Sequence, residues 1–136
     1  MSTLAQAVPT TTPSRFLRRA LAVDAVSSAG LGLLLIAGAS ALEGPLGLAA
    51  AQLRAAGIVL LPFAAFVGWT ASRARIPRPA AWAVVALNAI WTAESLLLLE
   101  TGWVQPTSLG TAFVVAQALF VAALALAEQH GLRRSR

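Results

Sequence analysis

The sequence predicts an all-α integral membrane protein with four transmembrane helices in an up-down-up-down bundle. Three observations lead to this fold class: the composition, four long apolar runs, and the positions of the arginines. The chain of 136 residues is 58% hydrophobic and only 11% charged, with a mean hydropathy of +0.77. A water-soluble domain of this size has too little interior to bury so many apolar side chains. The composition therefore places the chain in the membrane class.

The four apolar runs predict four spans joined by short turns. Each run is about 20 residues long, and a helix of that length reaches about 30 Å, the thickness of the hydrocarbon core of a bilayer. The predicted spans lie at about 20–42, 54–72, 80–99 and 107–128. With their flanks they form one transmembrane bundle over residues 15–130. Short turns between successive spans favour the up-down-up-down order.

The two ends of the chain differ from the bundle in composition. Residues 1–14 are rich in Thr, Ser and Pro and have no apolar periodicity, which predicts a disordered cytoplasmic tail. Residues 131–136 contain three arginines and predict a basic cytoplasmic tail. An alternative is that the residues before Leu42 form a cleaved signal peptide, because Arg-rich flank, apolar run and small residues follow one another there. The apolar run is longer than is usual for such a peptide, which favours a retained helix.

The arginines indicate the orientation of the bundle. Nine of the ten lie before the first span, between the second and third spans, or after the fourth. With four spans these three regions share one side, and the positive-inside rule makes that side cytoplasmic. We therefore predict a multi-pass protein of the bacterial cytoplasmic (inner) membrane with both termini in the cytoplasm. The basic charge is explained by topology, so the predicted partners are the lipid bilayer and a second copy or another membrane protein, and not nucleic acid.

Polar side chains inside the spans are the candidate functional residues. They are Asp24, Ser28, Arg54, Asn88, Trp91, Glu94, Ser95 and Gln117. Asn88, Trp91 and Ser95 share one face of the third helix by their spacing. Trp91 lies too deep for an interfacial belt, so its indole N–H needs a buried acceptor. Asn88 and Gln117 both fall near the midplane on neighbouring helices, where we expect their amides either to hydrogen-bond each other as packing contacts or to line a polar cavity.

The outer acid, Glu94, needs compensation if it is to lie inside a span. A charged carboxylate near the centre of a span costs about 2.5 to 3.5 kcal/mol on insertion scales. Arg54 enters the second span from the same side, and its long side chain makes it the expected ion-pair partner. The alternative is that Glu94 takes up and releases a proton in a transport route.

The first helix carries a second acid near its cytoplasmic end. Asp24 follows the arginines of its own helix, which predicts a local ion pair. Asp24, Ser28 and Gly32 recur every four residues and form a stripe of small or polar side chains on one face. Such stripes let transmembrane helices approach closely, so we expect this face to pack against another helix.

No catalytic constellation emerges from the sequence. The chain has no cysteine, one histidine and one methionine, and contains no metalloprotease, phosphate-loop or dinucleotide motif. We predict no enzyme activity, no cofactor and no metal. The leading hypothesis is a non-enzymatic interaction or accessory subunit of the membrane. The alternative is a small proton-coupled transporter or channel in which Glu94 lies in a polar route.

Overall fold

Four long helices make up most of the computed structural model, which describes residues 8–135. They are α1 (Arg15–Leu46), α2 (Ala50–Ser72), α3 (Arg78–Thr101) and α4 (Ser108–Arg134). Each is long enough and apolar enough to cross a membrane. The expected all-helical, four-helix fold is confirmed. The helices extend past most ends of the predicted spans because the flanking polar residues continue the helical hydrogen bonding.

Hydrogen bonds attach both ends of α1 to α4. At the start of α1, Ser14 caps the helix, and its backbone N–H donates to the hydroxyl of Ser135 over 3.1 Å. At the opposite end, the Thr107 hydroxyl donates to the Pro45 carbonyl over 2.7 Å and accepts from the backbone N–H of Gly110. The first and last helices are therefore held together by polar contacts at both ends.

A pair of two-residue strands joins the segment before α1 to the turn between α2 and α3. Strand β1 (Thr10–Thr11) pairs antiparallel with β2 (Ile76–Pro77), which lies between α2 and α3. Arg75 reinforces the pair by donating to the hydroxyls of Thr10 and Thr12 over 3.0 and 2.8 Å. The segment before α1 is thus attached to the turn between α2 and α3.

This strand pair differs from the disordered tail predicted over residues 1–14. Local composition gave no sign of it because the partners of residues 10 to 12 lie more than sixty residues away in the chain. Residues 1–7 of the predicted tail lie outside the described residues. So does Arg136, the last residue of the predicted basic tail.

Helix α1 is the centre of the packing. It contacts α2 and α4, α4 also contacts α3, and α2 and α3 touch each other little. The α1–α2 contact is close because glycines face each other: a Cβ atom added to Gly57 would lie 2.6 Å from the carbonyl oxygen of Gly32. Asp24, Ser28 and Gly32, the stripe identified in the sequence, are all buried. The stripe therefore lies inside the bundle, with Gly32 against α2.

Two apolar clusters form the core, one toward each end of the helices. The first includes Leu35, Ala39, Leu46, Leu53 and Val114. The second includes Leu17, Leu21, Val67, Val84 and Leu132. Along α1, the buried polar residues Asp24 and Ser28 lie between the residues of these two clusters. This interruption of the core is where the candidate site begins.

Candidate functional site

A buried group of polar side chains joins three helices. The side-chain amide nitrogen of Asn88, on α3, donates to Asp24 Oδ2 of α1 over 2.7 Å and to Glu128 Oε1 of α4 over 2.8 Å. Ser28 donates to the second oxygen of Asp24 over 3.2 Å. We call these four residues the carboxyl cluster. Asp24 and Glu128 are each only 1% exposed, and Asn88 is 3% exposed.

The carboxyl cluster contains two acids and no basic side chain. Among residues 8–135 no arginine approaches a carboxylate within 4.0 Å. Arg18, six residues before Asp24 on α1, donates instead to the backbone carbonyls of Ala71 and Arg73. The local ion pair expected for Asp24 is therefore absent. Arg18 binds carbonyl groups at the end of α2, whereas the buried carboxylate of Asp24 accepts from Asn88.

The amide pair expected between Asn88 and Gln117 is also absent. Gln117 Oε1 accepts from the indole N–H of Trp91 over 2.8 Å, and its amide nitrogen donates to a carbonyl of its own helix. Asn88 faces Asp24 and Glu128, whereas Trp91, about one turn further along α3, faces Gln117. The acceptor that the Trp91 indole was expected to need is therefore Gln117, which is half-buried rather than fully buried.

Two cavities lie beside α3, with walls that include residues of both α2 and α3. The larger has a volume of about 570 Å³ and the smaller about 500 Å³. Trp91 and Glu94 line both cavities. Ser95 and Gln117 line the larger one, whereas Ser28 and Asn88 of the carboxyl cluster line the smaller one. Apart from these few polar groups the walls are mainly apolar, as is typical of sites for small lipophilic molecules.

Glu94 is exposed and has no cationic partner in the described part of the chain. Arg54, its expected partner, donates to the hydroxyl of Ser40 on α1 over 2.6 Å. The predicted Glu94–Arg54 pair is wrong for this structure because α2 and α3 separate around the cavities, and Arg54 lies on the α1 side of α2. Arg54 belongs to neither the carboxyl cluster nor the cavities.

No family model, curated protein or solved structure matches this chain. The site is therefore interpreted from its own geometry.

Glu128 is the one member of the carboxyl cluster that sequence reasoning missed. From the sequence, Glu128 marks only the end of the fourth span, because polar residues follow it. A helical projection contains a signal for its burial: Leu124 and Leu132, four residues to either side, are buried, and four-residue neighbours share a face. Glu128 is thus an acid on the inward stripe of α4.

The sequence candidates fall into two groups in the structure. Asp24, Ser28 and Asn88 meet in the carboxyl cluster, whereas Trp91, Glu94, Ser95 and Gln117 line the larger cavity. Among residues 8–135 no three His, Cys, Asp or Glu side chains come together as a metal site. The arrangement therefore places two carboxyl groups, of Asp24 and Glu128, beside each other in the interior. A third carboxyl group, of Glu94, lies at the wall of a mainly apolar cavity.

Proposed function

We propose that this chain is a non-enzymatic protein of the bacterial inner membrane, with four up-down-up-down spans and both termini cytoplasmic. The four apolar helices and the one-sided distribution of nine arginines support this topology. At the end of α2, the guanidinium of Arg73 lies 5.4 Å from the centre of the Trp69 ring, a pairing suited to a membrane interface. The packing of α1 against both α2 and α4 supports its retention in the mature protein.

A reporter fused after the last residue tests this topology. We expect a reporter that works only in the cytoplasm to be active there, and one that works only in the periplasm to be inactive. Mass spectrometry of the purified protein checks that α1 is retained. Periplasmic activity, or a mature chain that begins after Ala41, would contradict the proposed arrangement.

Within this topology, the function we propose is binding of a lipophilic molecule that carries one protonated amine. The observation that carries this proposal is the position of Glu94. Its side chain lines both cavities, and no arginine of residues 8–135 lies within 4.0 Å of it. The apolar walls favour a lipophilic body, and the unpaired carboxylate favours a positive charge at one end of the ligand.

Trp91 is well placed to contact the charged end of the ligand. It lines both cavities, and its indole N–H is already donated to Gln117, which fixes the ring at the cavity wall. The face of an indole attracts an ammonium group, more strongly where water is excluded. An amine placed between the Glu94 carboxylate and the Trp91 ring is therefore stabilised by both.

Exchange of the amine for a proton is the step that connects this site to transport. A bare carboxylate near the centre of a span costs about 2.5 to 3.5 kcal/mol, so Glu94 is neutralised either by a proton or by a cationic ligand. When the amine binds, the proton leaves, and when the amine leaves, a proton returns. This is the elementary exchange of the proton-coupled transporter considered from the sequence.

Binding of matched ten-carbon probes to the protein in lipid nanodiscs tests the proposal. We expect decylamine to bind at least tenfold more tightly than decanol, a difference of about 1.4 kcal/mol from the ion pair with Glu94. The measurement is the rise in unfolding temperature with ligand concentration, referenced to empty nanodiscs for partitioning into lipid. Glu94→Gln should remove the preference for the amine while keeping weak binding of both probes.

Glu100→Gln is the matched control, because Glu100 is an exposed acid on the same helix that lines neither cavity. It should keep the preference of the wild type. Equal affinity of the wild type for amine and alcohol would show that Glu94 does not select a cation. If Glu94→Gln keeps the preference for the amine, an acid other than Glu94 binds the positive charge of the ligand.

The second candidate function is that of an accessory subunit, and the surface of α3 favours it. Only 11% of the most apolar window of α3 is buried, against 28% in each of the other helices. Leu87, Ile90 and Leu97 are exposed on this helix. Native mass spectrometry from nanodiscs distinguishes the candidates, since a stable second chain supports an interaction role.

A further inference from the structure

We infer that Asp24 and Glu128 share one proton in the folded protein, which makes the carboxyl cluster a proton-binding site distinct from Glu94. The inference does not depend on the amine proposed above, and its test uses no ligand. It rests on the geometry of three helices rather than on any one residue.

The carboxyl groups of Asp24 and Glu128 lie close together. One oxygen of Asp24 and one of Glu128 accept from the same amide nitrogen of Asn88, at 2.7 and 2.8 Å, so these oxygens are no further apart than the sum of those distances. Both residues are almost completely buried. Two carboxylates this close in an apolar interior repel each other strongly, and one proton between them removes the repulsion.

One carboxylate oxygen of the pair, Glu128 Oε2, is buried and has no hydrogen-bond partner among residues 8–135. The other three carboxylate oxygens of the pair already accept from Asn88 or Ser28. A proton on Oε2 therefore neutralises one charge of the pair without displacing any existing hydrogen bond, and leaves the Asn88 contacts as they are.

The charged groups on the surrounding helices are directed elsewhere. Arg18 of α1 donates to backbone carbonyls at the end of α2, and Arg78 of α3 donates to the Leu132 carbonyl over 3.4 Å. Arg73 of α2 lies over the Trp69 ring, and His130 of α4 packs edge-on against Phe16. The remaining charged side chains on these helices are exposed: Arg15, Arg19, Glu43, Arg54, Glu94, Glu100, Arg133 and Arg134.

The orientation of Asn88 favours a proton over a metal ion. Its amide hydrogens point at both acids, so the space between the carboxylates is filled by a donor and not by an oxygen ligand. Asn88 and Ser28 also line the smaller cavity. The carboxyl cluster therefore borders this cavity, which is the side from which we expect a proton to reach it.

Infrared spectroscopy of the full-length protein in nanodiscs tests the inference. A protonated carboxyl absorbs separately from a carboxylate, so we expect a protonated-carboxyl band at neutral pH that is lost as the pH is raised. On a Glu94→Gln background, where Glu94 itself contributes no protonated carboxyl, the further double change Asp24→Asn/Glu128→Gln should remove this band. Glu94→Gln should keep it, because the remaining membrane-embedded acids of that variant are Asp24 and Glu128.

The Glu94→Gln protein keeps the test decisive if the variant with all three substitutions does not fold. Absence of the protonated-carboxyl band from Glu94→Gln at neutral pH would overturn the inference. So would a band of unchanged size in the folded variant with all three substitutions. Titration with sodium chloride against choline chloride at fixed pH supplies the last arm, since a band removed by sodium alone would identify a sodium site in place of a proton site.

Discussion

Asn88→Leu is expected to lower the free energy of unfolding by on the order of 3 to 5 kcal/mol, because two hydrogen bonds to buried acids, each worth about 1.5 to 3 kcal/mol, are lost. The substitution removes both hydrogen bonds that join α3 to Asp24 and Glu128. The one other hydrogen bond to the pair comes from Ser28, on the same helix as Asp24, so no hydrogen bond from α3 to either acid remains. Unfolding by sodium dodecyl sulfate in mixed micelles, followed by circular dichroism, measures the change.

Gln117→Leu is the matched control for this experiment. Gln117 is also an amide in the middle of a helix, but it bonds the indole of Trp91 and no acid. Its loss should cost about 1 kcal/mol, as is typical of a polar contact between transmembrane helices. A triple variant with leucine at Asp24, Asn88 and Glu128 should recover part of the stability lost by Asn88→Leu, because no unpaired acid remains. Equal costs for Asn88→Leu and Gln117→Leu would show that the cluster does not hold α3 in place.

Gly57→Ala is expected to destabilise the protein by about 1 to 3 kcal/mol, as overpacking of a tight contact usually does. The added methyl would lie 2.6 Å from the carbonyl oxygen of Gly32 and 2.7 Å from the Ile36 side chain. The backbone oxygen is part of α1 and cannot turn away, so the two helices must separate. The loss opposes the gain of up to about 1 kcal/mol that alanine brings to a helix.

Gly30→Ala makes the same chemical change in a place without neighbours. A Cβ atom there meets nothing within 4 Å, so only the gain in helix propensity remains. The two variants should therefore shift the unfolding midpoint in opposite directions under the same conditions. A shift in the same direction for both would place the α1–α2 contact elsewhere than at Gly32 and Gly57.

The parts of the fold that follow from local sequence were predictable. Apolar runs of span length identify the four helices, and the four-residue spacing of Asp24, Ser28 and Gly32 identifies the buried stripe of α1. The need of Trp91 for a buried acceptor also followed from its depth and chemistry. Each of these depends on one residue type or one helix, and no knowledge of the neighbouring helix is required.

The pairings between helices were not predictable in the same way. Depth alone suggested Asn88 with Gln117 and Arg54 with Glu94, but depth does not fix which face of a helix meets which neighbour. The separation of α2 from α3 left Glu94 without Arg54, and the rotation of α3 turned Asn88 to Asp24 and Glu128. Glu128 was overlooked because its polar neighbours near the C-terminus gave it the character of a helix end.

The carboxyl cluster can form only after α1, α3 and α4 have all been synthesised. Asn88 follows Asp24 by 64 residues, which takes several seconds at about 5 to 20 residues per second of translation. In the proposed membrane topology, α1 and α2 therefore enter the bilayer as a hairpin whose buried acid has no partner outside its own helix. Glu128 arrives later still, with α4. The carboxyl cluster is complete only when α4 docks, so a chain truncated before α4 leaves Asp24 and Asn88 without Glu128.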